Sequence, residues 1–124
     1  MNKAIICLGA NVACADANIE NATQFLSTLG TIHRTTPLYP TAPEHCGDVP
    51  AYLNRVIELH SGTDYAQLRD ATKQYEKRIR DMRATAPLVA VDIDIVLWNG
   101  TVLRAADADS QYFRQGCQMI DITF

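Results

Sequence analysis

Two carboxylates interrupt an apolar run late in the chain: Asp92 and Asp94 in AVDIDIVLWNG, residues 90–100. In a strand, residues i and i+2 leave the same face, so these acids point one way, about 7 Å apart along the chain. Val91, Ile93 and Ile95 then fill the opposite face. An unpaired carboxylate is expensive to bury. Two hard oxygen ligands on a rigid strand suit Mg²⁺, which takes one or two protein carboxylates and completes its shell with water and phosphate. The alternative is an edge strand with a solvated polar face. Asp is depleted in strands, and the flanking Ile and Val weigh against that alternative.

Basic residues gather upstream of the pair: Lys73, Lys77, Arg78, Arg80 and Arg83. Such a run is ordinarily a solvated helix face. Placed just before a carboxylate strand, it also suits a polyphosphate held between a cation and guanidinium groups. Other chemistry-bearing residues are less suggestive. His33, His45 and His60 have no mutual spacing that indicates a metal site, and they read as surface or strand residues. Cys7, Cys14, Cys46 and Cys117 form no CxxC pair and no zinc spacing, and read as free thiols of a reducing cytosol. Trp98, beside Asn99-Gly100, reads as a packing residue.

These side chains need a scaffold, and the periodicities describe one. AIICLGA, residues 4–10, is a continuous apolar run that reads as a central strand buried on both faces. A helix follows from Asp16, with Ile19, Ala22, Phe25, Leu26 and Leu29 at helical spacing and Gly30 as its C-cap. TIHRTTPLY is expected to be a strand, and Pro40, Pro43 and Pro50 frame an irregular loop. AYLNRVIELHSG is a strand, and residues 64–83 form a second long helix with Asp64 as N-cap. The Asp strand ends in an Asn-Gly turn that predicts a hairpin into TVLRA. A short helix around Ser110–Gly116 and a last strand over Met119–Phe124 complete the expectation.

The order is strand, helix, strand, strand, helix, strand. It predicts an α+β fold of the ferredoxin-like βαββαβ type: a mainly antiparallel sheet with helices on one face, plus a C-terminal extension. At 124 residues, 48% hydrophobic and 20% charged, the chain fits one globular domain spanning residues 1–124. A net charge of −3 argues against a nucleic-acid partner. No window is apolar enough for a membrane span, and the N-terminal apolar run is too short for a signal peptide, so a cytoplasmic location is expected.

AIICLGAN, TPLYPTAP, PAYLNRVIEL and VDIDIVLWNG, in this order and at these distances, resemble 6-hydroxymethyl-7,8-dihydropterin pyrophosphokinase of folate synthesis. The resemblance runs from Ile5 to about Gly100, and more weakly to Arg114. Its most specific element is the Asp-x-Asp strand. It implies that Asp92 and Asp94 bind two Mg²⁺ ions bridging ATP, the co-substrate. It implies that Asn54 hydrogen-bonds the pterin, that Tyr52 lines the pterin pocket, and that Thr41, Ala42 and Pro43 supply loop contacts to it. Glu76 and Lys73 are expected on the nucleotide side. Arg83 is expected to act on the phosphates, and Arg114 is the counterpart of a C-terminal Arg near ATP. The reaction implied is pyrophosphoryl transfer to a pterin, with small-molecule partners only, in a monomer or weak homo-oligomer.

The chain also departs from that family. An R-W-G-P-R-like lid segment corresponds here to RATAPLVA, which lacks the Trp and the second Arg. A Pro-His pair after the hairpin has no match in TVLRAADADSQYFR, and Glu44 stands where an apolar residue often lines the pocket. Losing lid arginines is expected to lower turnover more than ground-state binding. The alternative reading is a low-activity or non-catalytic pterin- or nucleotide-binding paralogue.

Overall fold

The computed structural model describes residues 1–41, 51–83 and 89–124, except for the side chains of residues 81–83. Its elements are β1 (Asn2–Ala10), α1 (Ala15–Ser27), β2 (Thr31–Thr35), β3 (Tyr39–Thr41) and β4 (Tyr52–Ser61). They continue with α2 (Tyr65–Arg83), β5 (Asp92–Trp98), β6 (Thr101–Val102), α3 (Ala105–Asp109) and α4 (Gln111–Met119). The strands form one sheet in the order β2-β4-β1-β5-β6, with β3 also on β4, and every pairing is antiparallel. The apolar run of β1 is explained by its place between β4 and β5. This is the expected ferredoxin-like arrangement.

The two faces of the sheet are covered differently. On one, Ile19, Ala22 and Leu26 of α1 and Leu68 and Tyr75 of α2 close over Ile6, Leu8, Ile57, Leu59, Ile93 and Ile95. Phe25 and Tyr75 stack there at 4.4 Å. On the other, the C-terminal extension lays Ala108, Phe113 and Cys117 over Ile5, Cys7, Val56 and Val96. A Cβ on Gly116 would stand 2.4 Å from both the Tyr39 hydroxyl and Val56. The missing side chain therefore lets α4 sit directly on the sheet.

Local chemistry explains the boundaries. Asp64 caps α2: its carboxylate accepts from Gln67 N–H at 2.8 Å while the Gln67 side chain accepts from Asp64 N–H at 3.2 Å, a reciprocal capping box. Ser110 caps α4 through Phe113 N–H. The Asn99-Gly100 hairpin turn has φ of 50° and 85°, the pair of positive values a type I′ turn requires. Trp98 packs edge-on against Tyr65 at 5.6 Å.

Three sequence expectations need correction. TIHRTTPLY is two strands, not one, because Pro37 cannot donate to a ladder; Thr36 bridges the break, its N–H donating to Val56 O and its hydroxyl accepting from Val56 N–H. Gly30 is not the C-cap of α1; Thr28, just after Ser27, is. A Cβ at Gly30 would lie 2.4 Å from the His60 carbonyl oxygen, so close approach to β4 is what requires glycine there. Met119–Phe124 is not a strand. The helical spacing of Phe113, Cys117 and Ile120 carries α4 to Met119, and Arg34 then holds the tail by donating to the carbonyls of Ile120 (2.6 Å) and Asp121 (3.3 Å). Among the described residues, no helix is long and apolar enough to cross a membrane.

Candidate active site

The register of three strands brings the expected site residues to one end of the sheet. Gly9 at the end of β1 pairs with Asn54 on one side and with Asp92 on the other. Asn54 pairs onward with Tyr39, and Tyr52 with Thr41. Asn54 and Asp92 thus share a face two strand spacings apart, about 10 Å, with only a glycine between them. Asp94 stands one pleat further in, opposite Cys7.

The Asn54 side of this row is buried and ordered. Asn54 is 4% exposed, and its Nδ2 donates to the Thr41 hydroxyl at 2.5 Å. A Cβ on Gly9 would come within 3.3 Å of Asn54 Oδ1 and 3.7 Å of the Tyr52 ring. Glycine at position 9 therefore keeps a flat floor beside an amide and an aromatic edge. Thr41, Tyr52 and Asn54 are brought together, whereas Ala42 and Pro43 lie outside the described residues, as do Glu44, His45 and Cys46.

The Asp side is crowded with charge. Asp92 keeps access to solvent, yet the protein around it excludes enough water to push its pKa up to about 6, helped by the negative charges of Asp94 and Glu76. Lys73 and Arg104 oppose that rise. Lys73 Nζ lies 3.4 Å from Asp94 Oδ1 and donates to the Ile93 carbonyl at 3.0 Å and to Glu76 at 3.1 Å. The Arg104 guanidinium is 3.8 Å from Asp94, and its Nε donates to Asp107. Asp107 in turn accepts from the Tyr112 hydroxyl at 2.6 Å.

Glu76 has a defined structural task. Its carboxylate accepts the Ile93 backbone N–H and pins α2 to the edge of β5 midway between the two acids. Burial raises its pKa, against the lowering effect of that hydrogen bond and of Lys73. Arg114 is held away from the row: it pairs with Asp109 at 3.1 Å and lies over the Phe124 ring at 5.7 Å. Arg83 is the last residue of α2, and its side chain lies outside the described set. So does most of RATAPLVA, including Pro87.

Arg104 and its partner Asp107 were not singled out by sequence pattern, although they border the pair. The available signal was the hairpin itself, since an Arg just after the strand paired with the end of β5 must return to the level of Asp94. The donor set fits a hard divalent cation. Asp92 and Asp94 offer only carboxylate oxygens, share one face, and carry repulsion that a bound cation would relieve.

His33 and His60 are strand residues, as expected, of β2 and β4, and the sheet adds a contact between them. Their rings stack at 4.8 Å, 16° from parallel, beside Glu58 and at the far end of β4 from Asn54. Sequence spacing could not show this because the two lie on different strands.

The family described as 7,8-dihydro-6-hydroxymethylpterin-pyrophosphokinase (HPPK) matches residues 5–120 of the chain. No curated protein matches it.

Proposed function

The chain belongs to the 7,8-dihydro-6-hydroxymethylpterin-pyrophosphokinase family, and from that premise we propose that it transfers pyrophosphate from ATP to 6-hydroxymethyl-7,8-dihydropterin, leaving AMP. The observation that carries this reading is the row Thr41/Tyr52–Asn54–Gly9–Asp92. It offers a buried amide and an aromatic edge about two strands from a carboxylate pair. A flat heterocycle with donor and acceptor edges fits the first half, and a metal polyphosphate fits the second.

In this reading the pterin lies against Gly9, with Asn54 and Thr41 addressing its polar edge and Tyr52 its ring. The hydroxymethyl oxygen is thereby aimed across β1 at the phosphates. A bond forms from that oxygen to the β-phosphorus, the bond from the β-phosphorus to the oxygen of the α-phosphate breaks, and the hydroxyl proton is released. Asp92 and Asp94 would hold Mg²⁺, two ions by analogy with the family, which supplies charge neutralisation on the phosphates when bound. Lys73 and Arg104 hold the Asp94 carboxylate in place and add positive charge beside the phosphate path. The protein's contribution is positioning and electrostatics, with no covalent intermediate.

A second reading rests on RATAPLVA, where the lid Trp and second Arg of the family are missing. It is a chain that binds nucleotide and pterin but turns over slowly or not at all. Incubation with ATP, MgCl₂ and 6-hydroxymethyl-7,8-dihydropterin separates the two. Stoichiometric AMP and pterin diphosphate support transfer. Mg²⁺-dependent binding of a non-hydrolysable ATP analogue without AMP supports the second reading, and absence of both binding and turnover defeats both.

A further inference from the structure

The end of the sheet remote from the carboxylate pair holds a cluster that pterin chemistry does not use. Four and six residues along β4 from Asn54, roughly 13 and 20 Å away, Glu58 and His60 project from the same sheet face as Asn54. The β2–β4 ladder slips between Ile32 and Arg34: Ile32 pairs with Leu59 and Arg34 with the next residue, Glu58. Two residues of β2, His33 and Arg34, therefore stand against one residue of β4. A bulge of this kind re-aims side chains, and here it brings both His33 and Arg34 to Glu58.

The resulting geometry is specific. Glu58 is buried at 3% exposure. One of its oxygens, Oε1, is taken by Arg34, at 3.0 Å from Nε and 2.6 Å from a terminal nitrogen. The other, Oε2, lies 2.6 Å from His60 Nε2. One ligand atom from each of His33, Glu58 and His60 lies within 4.8 Å of the other two.

We propose that His33, Glu58 and His60 form a binding site for a transition-metal dication of the Zn²⁺, Co²⁺ or Ni²⁺ class, separate from the carboxylate pair. Two imidazoles and one carboxylate select such ions over Mg²⁺, which prefers oxygen ligands alone. Neutral imidazole is the commonest protein ligand for them. Three protein ligands leave a fourth position for water. Arg34 completes the design from outside: by holding Oε1 it fixes the carboxylate plane and leaves Oε2 directed at the imidazoles, the way outer partners orient metal ligands. The ion replaces the proton shared by Glu58 and His60. It ties the edge strand β2 to β4, and through Arg34 to the C-terminal carbonyls of Ile120 and Asp121.

The test is a Co²⁺ titration of the full chain with excess Mg²⁺ present to occupy the carboxylate pair, read by visible absorption. One Co²⁺ per chain is expected, displaced by Zn²⁺, with ligand-field bands and no thiolate charge-transfer band. His33 is exposed, so His33→Ala keeps the fold, checked by circular dichroism, and should weaken Co²⁺ at least about tenfold. His60→Gln should do the same, and Asp94→Asn should leave Co²⁺ affinity unchanged. Wild-type affinity in His33→Ala, a thiolate band, or no Co²⁺ uptake would each overturn the site.

Discussion

Asp92 and Glu58 occupy the same face of one sheet, and their surroundings push them in opposite directions. Around Asp92, burial and the charges of Asp94 and Glu76 raise the pKa to about 6. Around Glu58, burial also acts upward, but hydrogen bonds from Arg34 and His60 outweigh it and hold the carboxyl below its usual range. The cation at Glu58 belongs to the fold. At Asp92 the nearby cations are shared among several acids, Lys73 with Asp94, Glu76 and the Ile93 carbonyl and Arg104 with Asp94 and Asp107. At one end of the sheet a carboxylate is matched by an arginine of the fold, while at the other, four acids, Asp92, Asp94, Glu76 and Asp107, share Lys73 and Arg104. That contrast, more than the presence of two aspartates, marks the site.

The contrast can be broken most severely at Asp94. Asp94→Ala removes half of the carboxylate pair and the anchor of Lys73 and Arg104. Mg²⁺-dependent AMP formation should fall by on the order of 10²–10³-fold, and calorimetry with an ATP analogue should lose its Mg²⁺ dependence. At the compensated end the effect should appear in stability instead. Glu58→Ala strands Arg34 and cuts its link to β4, at a cost of about 2 kcal/mol, read as a lower urea midpoint with unchanged slope. The pKa of Glu58 is lowered on folding, so its contribution is present above the unfolded value, 4.5, and is lost as pH falls through the folded value. The difference between wild type and Glu58→Ala should therefore shrink in acid.

Between the two ends, Gly9→Ala tests the flat floor. Its Cβ meets Asn54 Oδ1 at 3.3 Å, so the amide must shift by a few tenths of an ångström. The KM for pterin should rise by roughly tenfold, about 1.4 kcal/mol, while nucleotide binding stays intact. Equal loss of both would place the pterin elsewhere.

The smallest effect sharpens the comparison by its sign. Asp92 has a folded pKa above its unfolded 3.8, so the folded metal-free protein binds the extra proton. Its stability should rise as pH falls from about 6 toward 3.8, opposite to the trend from Glu58. Asp92→Asn should accordingly raise the metal-free Tm at pH 7.5 by about a few degrees while abolishing Mg²⁺ affinity. In the wild type, Mg²⁺ affinity should decline as pH drops below about 6, because the ion must displace that proton. A lower Tm for Asp92→Asn would show that the pair is already compensated within the fold.

The legible parts of the molecule were those carried by local pattern. Alternation and unbroken apolar runs placed β1, β4 and β5. Spacing by threes and fours placed α1 and α2, Asp64 announced the start of α2, and Asn99-Gly100 announced the hairpin. The Asp-x-Asp spacing and the LGAN, TAP and YLN elements named Asp92, Asp94, Asn54, Tyr52 and Thr41. The C-terminal segment was misread because MIDITF has β-branched residues at alternating positions, whereas its neighbours Phe113 and Cys117 bury a helical stripe against Val56 and Ile5. Gly30 was misread because a steric requirement from His60, on another strand, imitates a cap.

By itself, then, the sequence determined which elements form and which residues carry oxygen ligands, amide groups and positive charge, since strand and helix periodicity and side-chain chemistry are local properties. Only the tertiary structure decided which of these meet. Strand order set Gly9 between Asn54 and Asp92. The hairpin return carried Arg104 to Asp94, α2 turned Glu76 and Lys73 inward to hold β5, and a one-residue slip in β2 stacked His33 on His60. Apart from the hairpin contact, each of these joins residues distant in the chain, and sheet register, which fixes side-chain faces with a period of two, is settled by packing across strands that no short window of sequence contains.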